Sequence, residues 1–309
     1  MRCCSEEIPG EKFDEVGIFA RAVPTPARIC STRSRARSLD RSSLDADRDM
    51  SLLPREHGAY GQLAFPVVSS LPLAGVSPSS VLIAGAVVAL FVAHEPLLVL
   101  LGRRGTRARR EQGRTAIVWL AAAGALGLVL GLASFALAPA NAKWWFGLPL
   151  AAGTVLAAAI AADQEKTCGG EVCAALTFSF VAAPMCVAGG AHSTIALSVA
   201  VVFAATFVTS TLAVRGIILD VRAGGDPRAA RTARLAALML ACVTIAGLFL
   251  AAVSAILPWV ALAAAVPGLL TATWLALRPP QSSRLRDVGW VIIAASASIP
   301  VIFLVFVTG

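Results

Sequence analysis

Most of the chain after residue 50 consists of apolar runs of about 20 residues, separated by short polar segments. An α-helix rises about 1.5 Å per residue, so a run of this length crosses the ~30 Å hydrocarbon core of a bilayer. The runs are rich in Ala, Leu and Gly and lack the period of two that is typical of a membrane β-barrel. The pattern therefore predicts an all-α, polytopic membrane protein.

The apolar runs predict nine transmembrane helices. The division between the seventh and eighth of these helices depends on Leu257-Pro258-Trp259, because proline interrupts a helix. The predicted spans are residues 57–74, 79–101, 115–137, 144–162, 171–189, 192–219, 232–256, 258–277 and 287–307.

Composition agrees with this class and separates the first 49 residues from the rest. The chain is 57% hydrophobic and 14% charged, against about 45–50% and about 25% in soluble domains. Residues 1–49 are polar, rich in Arg and Ser, and without the apolar core of a signal peptide. We interpret them as a disordered tail, or as the result of a start codon assigned too early, with Met50 as the first residue. Residues 50–309 form the predicted helical bundle.

The distribution of basic residues predicts the orientation. Seventeen of the 26 basic residues follow residue 49, and with the N-terminus inside, only Lys143 of these falls on the outer side. The positive-inside rule then predicts an N-in, C-out protein of the cell membrane, here a bacterial inner membrane. Trp119 and Trp290 fit an aromatic belt on the inner side. The net charge of +8 is explained by this topology, so we expect the lipid bilayer and no nucleic acid as a partner.

Ionisable residues near a membrane span are costly and tend to mark function. A first set, Glu56 and His57 with Tyr60, lies at the start of the first helix, where Glu56 and Tyr60 share a helical face. The alternative is an interfacial cap that anchors this helix.

A second set, His94-Glu95-Pro96, lies within the second helix. Glu95 is predicted about 10 Å inside the boundary, where a carboxylate should take up a proton or find a cation. Pro96 should kink the helix and open a polar cavity. The alternative is a protonated glutamic acid bonded to a neighbouring carbonyl.

A third set follows the sixth helix, with Asp220 and Asp226 among five arginines from Arg215 to Arg234. Arginine suits bidentate contact with phosphate. Arg103 and its neighbours in the 103–114 segment could make the same kind of contact. The alternative is a set of ordinary basic loops that only determine orientation. Two histidines and two carboxylates at this end could bind a divalent metal such as Mg²⁺, or relay protons.

The segment PREHGAYGQLAFPVV, residues 54–68, resembles the opening signature of the YwiC-like family of bacterial membrane proteins. That family usually reads R-E-H-G-A-W, and Tyr60 stands here where Trp is common. The likeness extends over residues 52–309 in helix count and in the arginine at the end of the sixth helix. The resemblance implies a multi-pass membrane protein and assigns no chemistry.

A fainter resemblance is to the UbiA superfamily of prenyltransferases, which have nine helices, N-in and C-out. Two Asp-rich motifs after their second and sixth helices bind Mg-diphosphate. The stretch from Asp220 to Asp226 resembles the second motif, with a spacing of six where four is expected. The first motif is absent, and His94-Glu95 lies near its place. The resemblance implies a UbiA-like bundle whose chemistry is lost or changed.

These observations predict a cytoplasm-facing pocket that binds an isoprenoid or lipid-linked phosphate. Glu95 and His94 would be catalytic, as base or metal ligand. The predicted substrate-binding residues are Glu56, His57, Arg103, Arg215, Asp220 and Asp226. The alternatives are a proton-coupled small-molecule transporter that uses His94 and Glu95, and a non-enzymatic membrane scaffold. Internal repeats typical of transporters are not evident, which favours the enzyme or the scaffold.

Overall fold

A computed structural model of the chain describes residue 52 and residues 57–221, 226–281 and 284–308. The predicted tail, Glu56 and the side chain of His57 lie outside this part of the chain. The domain boundary at Met50 and the roles assigned to Glu56 and His57 therefore stay predictions.

The described residues fold into α-helices, with no strand among them. A 3-10 turn, Trp144–Phe146, joins α4 to α5, and Val181 separates α6 from α7. The helices are α1 (His57–Ala74), α2 (Pro78–Leu100), α3 (Thr106–Leu137), α4 (Ala140–Lys143), α5 (Gly147–Ala161), α6 (Cys168–Phe180), α7 (Ala182–Ala188), α8 (Ser193–Val221), α9 (Pro227–Val253), α10 (Trp259–Leu277) and α11 (Leu285–Thr308).

The prediction of an all-α polytopic membrane protein is confirmed. Among the described residues, eight segments are long and apolar enough to cross a membrane, counting α4 with α5 and α6 with α7 as single spans. The remaining predicted span, the first in the chain, is α1, which has the predicted bounds and 18 residues, or about 27 Å of helix. Its first turns are polar, and it contains Pro66 and Pro72. The side of the membrane on which each end lies stays a prediction.

The boundaries of other elements differ from the predictions by up to nine residues, the largest difference being at the start of α3. The segment predicted as a loop before Thr115 is helical from Thr106, because its Arg, Ala, Glu and Gln residues are good helix formers. The predicted fourth span begins with the 3-10 turn and is preceded by α4, and the predicted fifth span is divided at Val181. Pro96 lies inside a continuous α2.

Helix α8 lies at the centre of the bundle. In its most apolar 18-residue window, 72% of the residues are buried, and it packs against α6, α7, α9 and α10. Phe203 and Phe207 lie in the core, with ring centroids 5.4 Å apart. Close packing against α10 occurs at Gly268, where an added Cβ would lie 2.3 Å from Cγ2 of Thr206.

Helices α2 and α3 form the most extensive helix pair in the structure. A Cβ added at Gly127 would lie 2.8 Å from Cγ of Leu90, so the glycine lets α2 approach closely. Ser79 and Ser134 each donate from Oγ to the other's carbonyl oxygen at 3.0 Å. Hydrogen bonds of this kind join helices within a membrane. The pair is thus fixed at the end where α2 begins.

Candidate functional site

A tight turn at Gly102 places two arginines beside the last turns of α2. Gly102 has a φ of +77°, a left-handed conformation that favours glycine. The amide of Arg103 donates to the carbonyl of Leu98 at 2.9 Å, and that of Gly102 to Val99 at 3.0 Å. This is the Schellman pattern, which ends a helix and reverses the chain. Arg104 therefore lies against α2.

Arg104 binds the carboxylate of Glu95 through two hydrogen bonds. Its Nε donates to Oε1 and its Nη2 to Oε2, both at 2.6 Å. Glu95 is only 2% exposed, whereas the Arg104 side chain is 24% exposed. A buried carboxylate is costly unless it is paired and hydrogen-bonded. The cation that the position of Glu95 requires is supplied by Arg104.

His94 in α2 and Arg103 in the turn that follows hold the loop between α5 and α6, residues 162–167, against the end of α2. Nε2 of His94 lies 3.5 Å from Oε1 of Glu165. Nη1 of Arg103 lies 2.5 Å from Oδ2 of Asp163, and its Nη2 donates to the carbonyl of Ala161 at 3.3 Å. The 162–167 loop is therefore fixed to α2 by two side-chain contacts.

The same loop is held from α8 by Arg215. Its Nη1 lies 2.8 Å from Oε2 of Glu171 and donates to the carbonyl of Lys166 at 3.2 Å. Gly170 in the first turn of α6 packs directly on the loop, since an added Cβ would lie 2.3 Å from the carbonyl oxygen of Gln164. The 162–167 loop thus lies between α2 and α8.

The two aspartates of the third predicted set lie elsewhere. Oδ2 of Asp220 pairs with Nη1 of Arg234 at 2.6 Å, which joins α8 to α9. The stem of Arg234 crosses Gly216, where an added Cβ would lie 2.5 Å from its Cγ. Asp226 accepts a hydrogen bond from the amide of Arg228 at 2.8 Å. Asp226 is therefore the N-cap of α9.

The structure brings together some of the predicted site residues and not others. His94, Arg103 and Arg215 meet at the 162–167 loop, and Glu95 lies beside them but binds Arg104. Asp220 and Asp226 make other contacts. Sequence reasoning missed the three acidic partners, Asp163, Glu165 and Glu171; the available signal was their clustering in one short connection opposite the arginines.

Within the described part of the chain, no group of three His, Cys, Asp or Glu residues could hold a metal ion. Glu56 and the His57 side chain lie outside that part. The expectation of Mg²⁺ therefore stays untested.

An apolar groove of about 460 Å³ lies between α6, α8 and α9. Its lining includes Val172 and Phe180 of α6, Val208 of α8 and Leu248 of α9, and Thr244 is its single polar side chain. Val172 directly follows Glu171, the partner of Arg215. The groove therefore begins one residue along α6 from Glu171, and neither Glu171 nor Arg215 is among the residues that line it.

Residues 53–187 match the model of the family described as YwiC-like protein. Over these residues the chain is YwiC-like. The resemblance of residues 54–68 is confirmed, and the chain is a multi-pass membrane protein. No curated protein and no solved structure matches the chain, so the likeness to UbiA enzymes has no support. The YwiC-like segment contains the Glu95–Arg104 pair and the 162–167 loop, while Arg215 lies beyond it.

Proposed function

We propose that this YwiC-like membrane protein binds a lipid-linked or isoprenoid phosphate. The apolar tail would lie in the groove between α6, α8 and α9, and the anionic headgroup would contact Arg215. The supporting observation is that the groove reaches Val172, next in sequence to the Glu171 that pairs with Arg215.

The groove suits an apolar tail. It is an open groove of about 460 Å³ rather than an enclosed cavity. Apolar side chains from three helices line it, and its single hydroxyl belongs to Thr244. A hydrocarbon tail has no polar group, so its burial in this groove leaves none of its atoms without a hydrogen-bond partner.

Arg215 suits an anionic headgroup better than Arg104 does. Its side chain is 24% exposed, and its partner Glu171 is more exposed still. An exposed ion pair contributes only about 0–1 kcal/mol, so a phosphate can compete with Glu171. Lys166 is exposed beside it and adds a second positive charge. Arg104, by contrast, is bound at both nitrogens by a buried carboxylate.

If the protein is an enzyme, His94 and Glu95 would differ in role. Glu95 is buried and bound by Arg104, so it would position that arginine rather than accept a proton from a substrate. His94 is partly exposed and lies beside Glu165. An imidazole can exchange a proton near neutral pH, which makes His94 the better candidate for a general base.

A second candidate is a non-enzymatic scaffold, and the charge balance supports it. Four arginines of this region, Arg103, Arg104, Arg215 and Arg234, each have a carboxylate partner. Such a network could serve only to join α2, the 162–167 loop, α8 and α9. The scaffold predicts that bound lipid is unselective and independent of Arg215. The proton-coupled transporter draws no specific support from these contacts.

Native mass spectrometry of the protein purified in a mild detergent tests the proposal. A Cβ at Gly247, which lines the groove, would meet nothing within 4 Å, so Gly247→Leu adds a side chain at the groove without a clash at its Cβ. Gly124→Leu on α3 is the matched control, since its Cβ also meets nothing within 4 Å. Arg215→Gln removes the proposed headgroup contact.

We expect the wild type and Gly124→Leu to retain one class of phosphate-containing lipid. We expect Gly247→Leu and Arg215→Gln to lose it. An identical mixture of lipids on all four proteins, or no retained lipid on the wild type, would contradict the proposal and favour the scaffold.

A further inference from the structure

The arginines between Arg103 and Arg114 divide into paired and unpaired groups. Arg103 and Arg104 bind Asp163 and Glu95, and Nε of Arg107 donates to Oε1 of Glu111 at 2.8 Å. Arg109, Arg110 and Arg114 are exposed, and no carboxylate among the described residues lies within ion-pair distance of any of them. Arg110 and Arg114, which are one turn apart, therefore offer two neighbouring charges to an external anion.

Arg110 and Arg114 lie on the lipid-exposed face of α3. They are one turn apart, and the next turn of that face carries Ile117 and Val118, which are 57% and 66% exposed. At about 100° per residue, the buried Ala116 and Ala123 lie roughly on the opposite side of the helix. The face that carries the two arginines thus continues directly into the surface that contacts lipid tails.

The two arginines also lie just beyond the apolar part of α3, where lipid headgroups are expected. At 1.5 Å per residue, they are about 5–10 Å beyond Ile117 along the helix axis. Trp119 is exposed just inside this level, and tryptophan is enriched at membrane interfaces. Because α3 is one continuous helix from Thr106, this spacing is rigid.

We propose that Arg110 and Arg114 bind the headgroup of an anionic phospholipid whose acyl chains lie along α3. Charge complementarity identifies the occupant, because the bilayer supplies the tails and the arginines select the phosphate. The site is separate from the groove of the proposed function, since α3 packs mainly on α2. A lipid site here would give a role to the nine residues by which α3 extends beyond its predicted apolar span.

Lipid selectivity of the full chain in nanodiscs tests this site. The probe is phosphatidylglycerol mixed into phosphatidylcholine, and the readout is the ratio of the two lipids retained in native mass spectrometry. The test variant is the double substitution Arg110→Gln and Arg114→Gln. The matched control, Arg228→Gln with Arg231→Gln, removes the same charge from two exposed arginines of α9.

We expect the preference of the wild type for phosphatidylglycerol to fall about 25-fold in the test variant, since each of the two arginines near the surface contributes about fivefold. The control should stay within about twofold of the wild type, and added salt should weaken the preference. Equal losses in both variants would mean a general effect of charge and would overturn the proposal. So would the absence of a preference in the wild type, or displacement of the lipid by millimolar glycerol phosphate.

Discussion

Arg104 donates two hydrogen bonds of 2.6 Å to Glu95, a residue nine positions earlier in the chain. The carboxylate is buried, whereas the arginine side chain reaches solvent at 24% exposure. Removal of Arg104 would leave a charge buried, whereas removal of Glu95 would leave a charge that can reach solvent.

We expect Arg104→Gln to be more destabilising than Glu95→Gln. The first leaves a buried carboxylate without a cation, a change that costs about 3–5 kcal/mol in soluble proteins. The second leaves an arginine that can turn towards water, so its cost should be clearly smaller. The measurement is the free energy of unfolding in mixed micelles. The double variant should be more stable than Arg104→Gln alone, and equal costs for the two single variants would contradict this account.

Substitution of Gly170 should release the 162–167 loop. A Cβ at Gly170 would lie 2.3 Å from the carbonyl oxygen of Gln164 and 2.4 Å from that of Glu165. Backbone atoms cannot turn aside, so we expect Gly170→Ala to lower stability by about 1–3 kcal/mol and to speed tryptic cleavage after Lys166. Gly169→Ala is the control, because its nearest neighbour would be 3.8 Å away. Unchanged cleavage in Gly170→Ala would show that the loop is not packed on α6.

The reciprocal hydrogen bonds between Ser79 and Ser134 should give a measurable coupling energy. In a double-mutant cycle with Ser79→Ala and Ser134→Ala, we expect a coupling of about 0.6 kcal/mol and at most ~1.7 kcal/mol, the range found between membrane helices. Ser198 donates within its own helix, to the carbonyl of Thr194. Ser198→Ala should therefore show no coupling to Ser79→Ala, and additivity of Ser79 with Ser134 would refute the contact.

The substitution Thr206→Val should stabilise the protein. Oγ1 of Thr206 is buried in α8 and makes no hydrogen bond with any described group. Removal of an unsatisfied buried hydroxyl should raise the free energy of unfolding by about 1 kcal/mol. Thr209, one turn along, donates to the carbonyl of Ala205 at 2.6 Å, so Thr209→Val should be neutral or slightly destabilising. Thermal unfolding of the two variants distinguishes them, and a loss of stability in Thr206→Val would show that the hydroxyl has a partner.

The hydrophobic pattern predicted the helices well because each apolar run must cross the bilayer as one helix. The start of α3 at Thr106 was missed, since arginine-rich residues outside the bilayer lack the apolar signal although they favour helix. The interruptions at Trp144–Phe146 and Val181 were missed for a different reason. They depend on tertiary packing of residues that are as apolar as their neighbours.

The sequence identified Glu95 as a residue in need of a partner, because an ionisable side chain within an apolar run has few alternatives. It could not identify Arg104, since six arginines follow within 12 residues and the turn at Gly102 decides which one returns to α2. The contacts of Arg103 and Arg215 with the 162–167 loop join distant parts of the chain. Such contacts leave no local pattern.

The short separation between Glu95 and Arg104 also affects biosynthesis. An unpaired charged residue within a spanning helix opposes insertion by the translocon, and Glu95 lies in the last turns of α2. Arg104 is synthesised nine residues after Glu95, long before α8 leaves the ribosome. The second span can therefore enter the bilayer as a neutral unit without waiting for the rest of the protein.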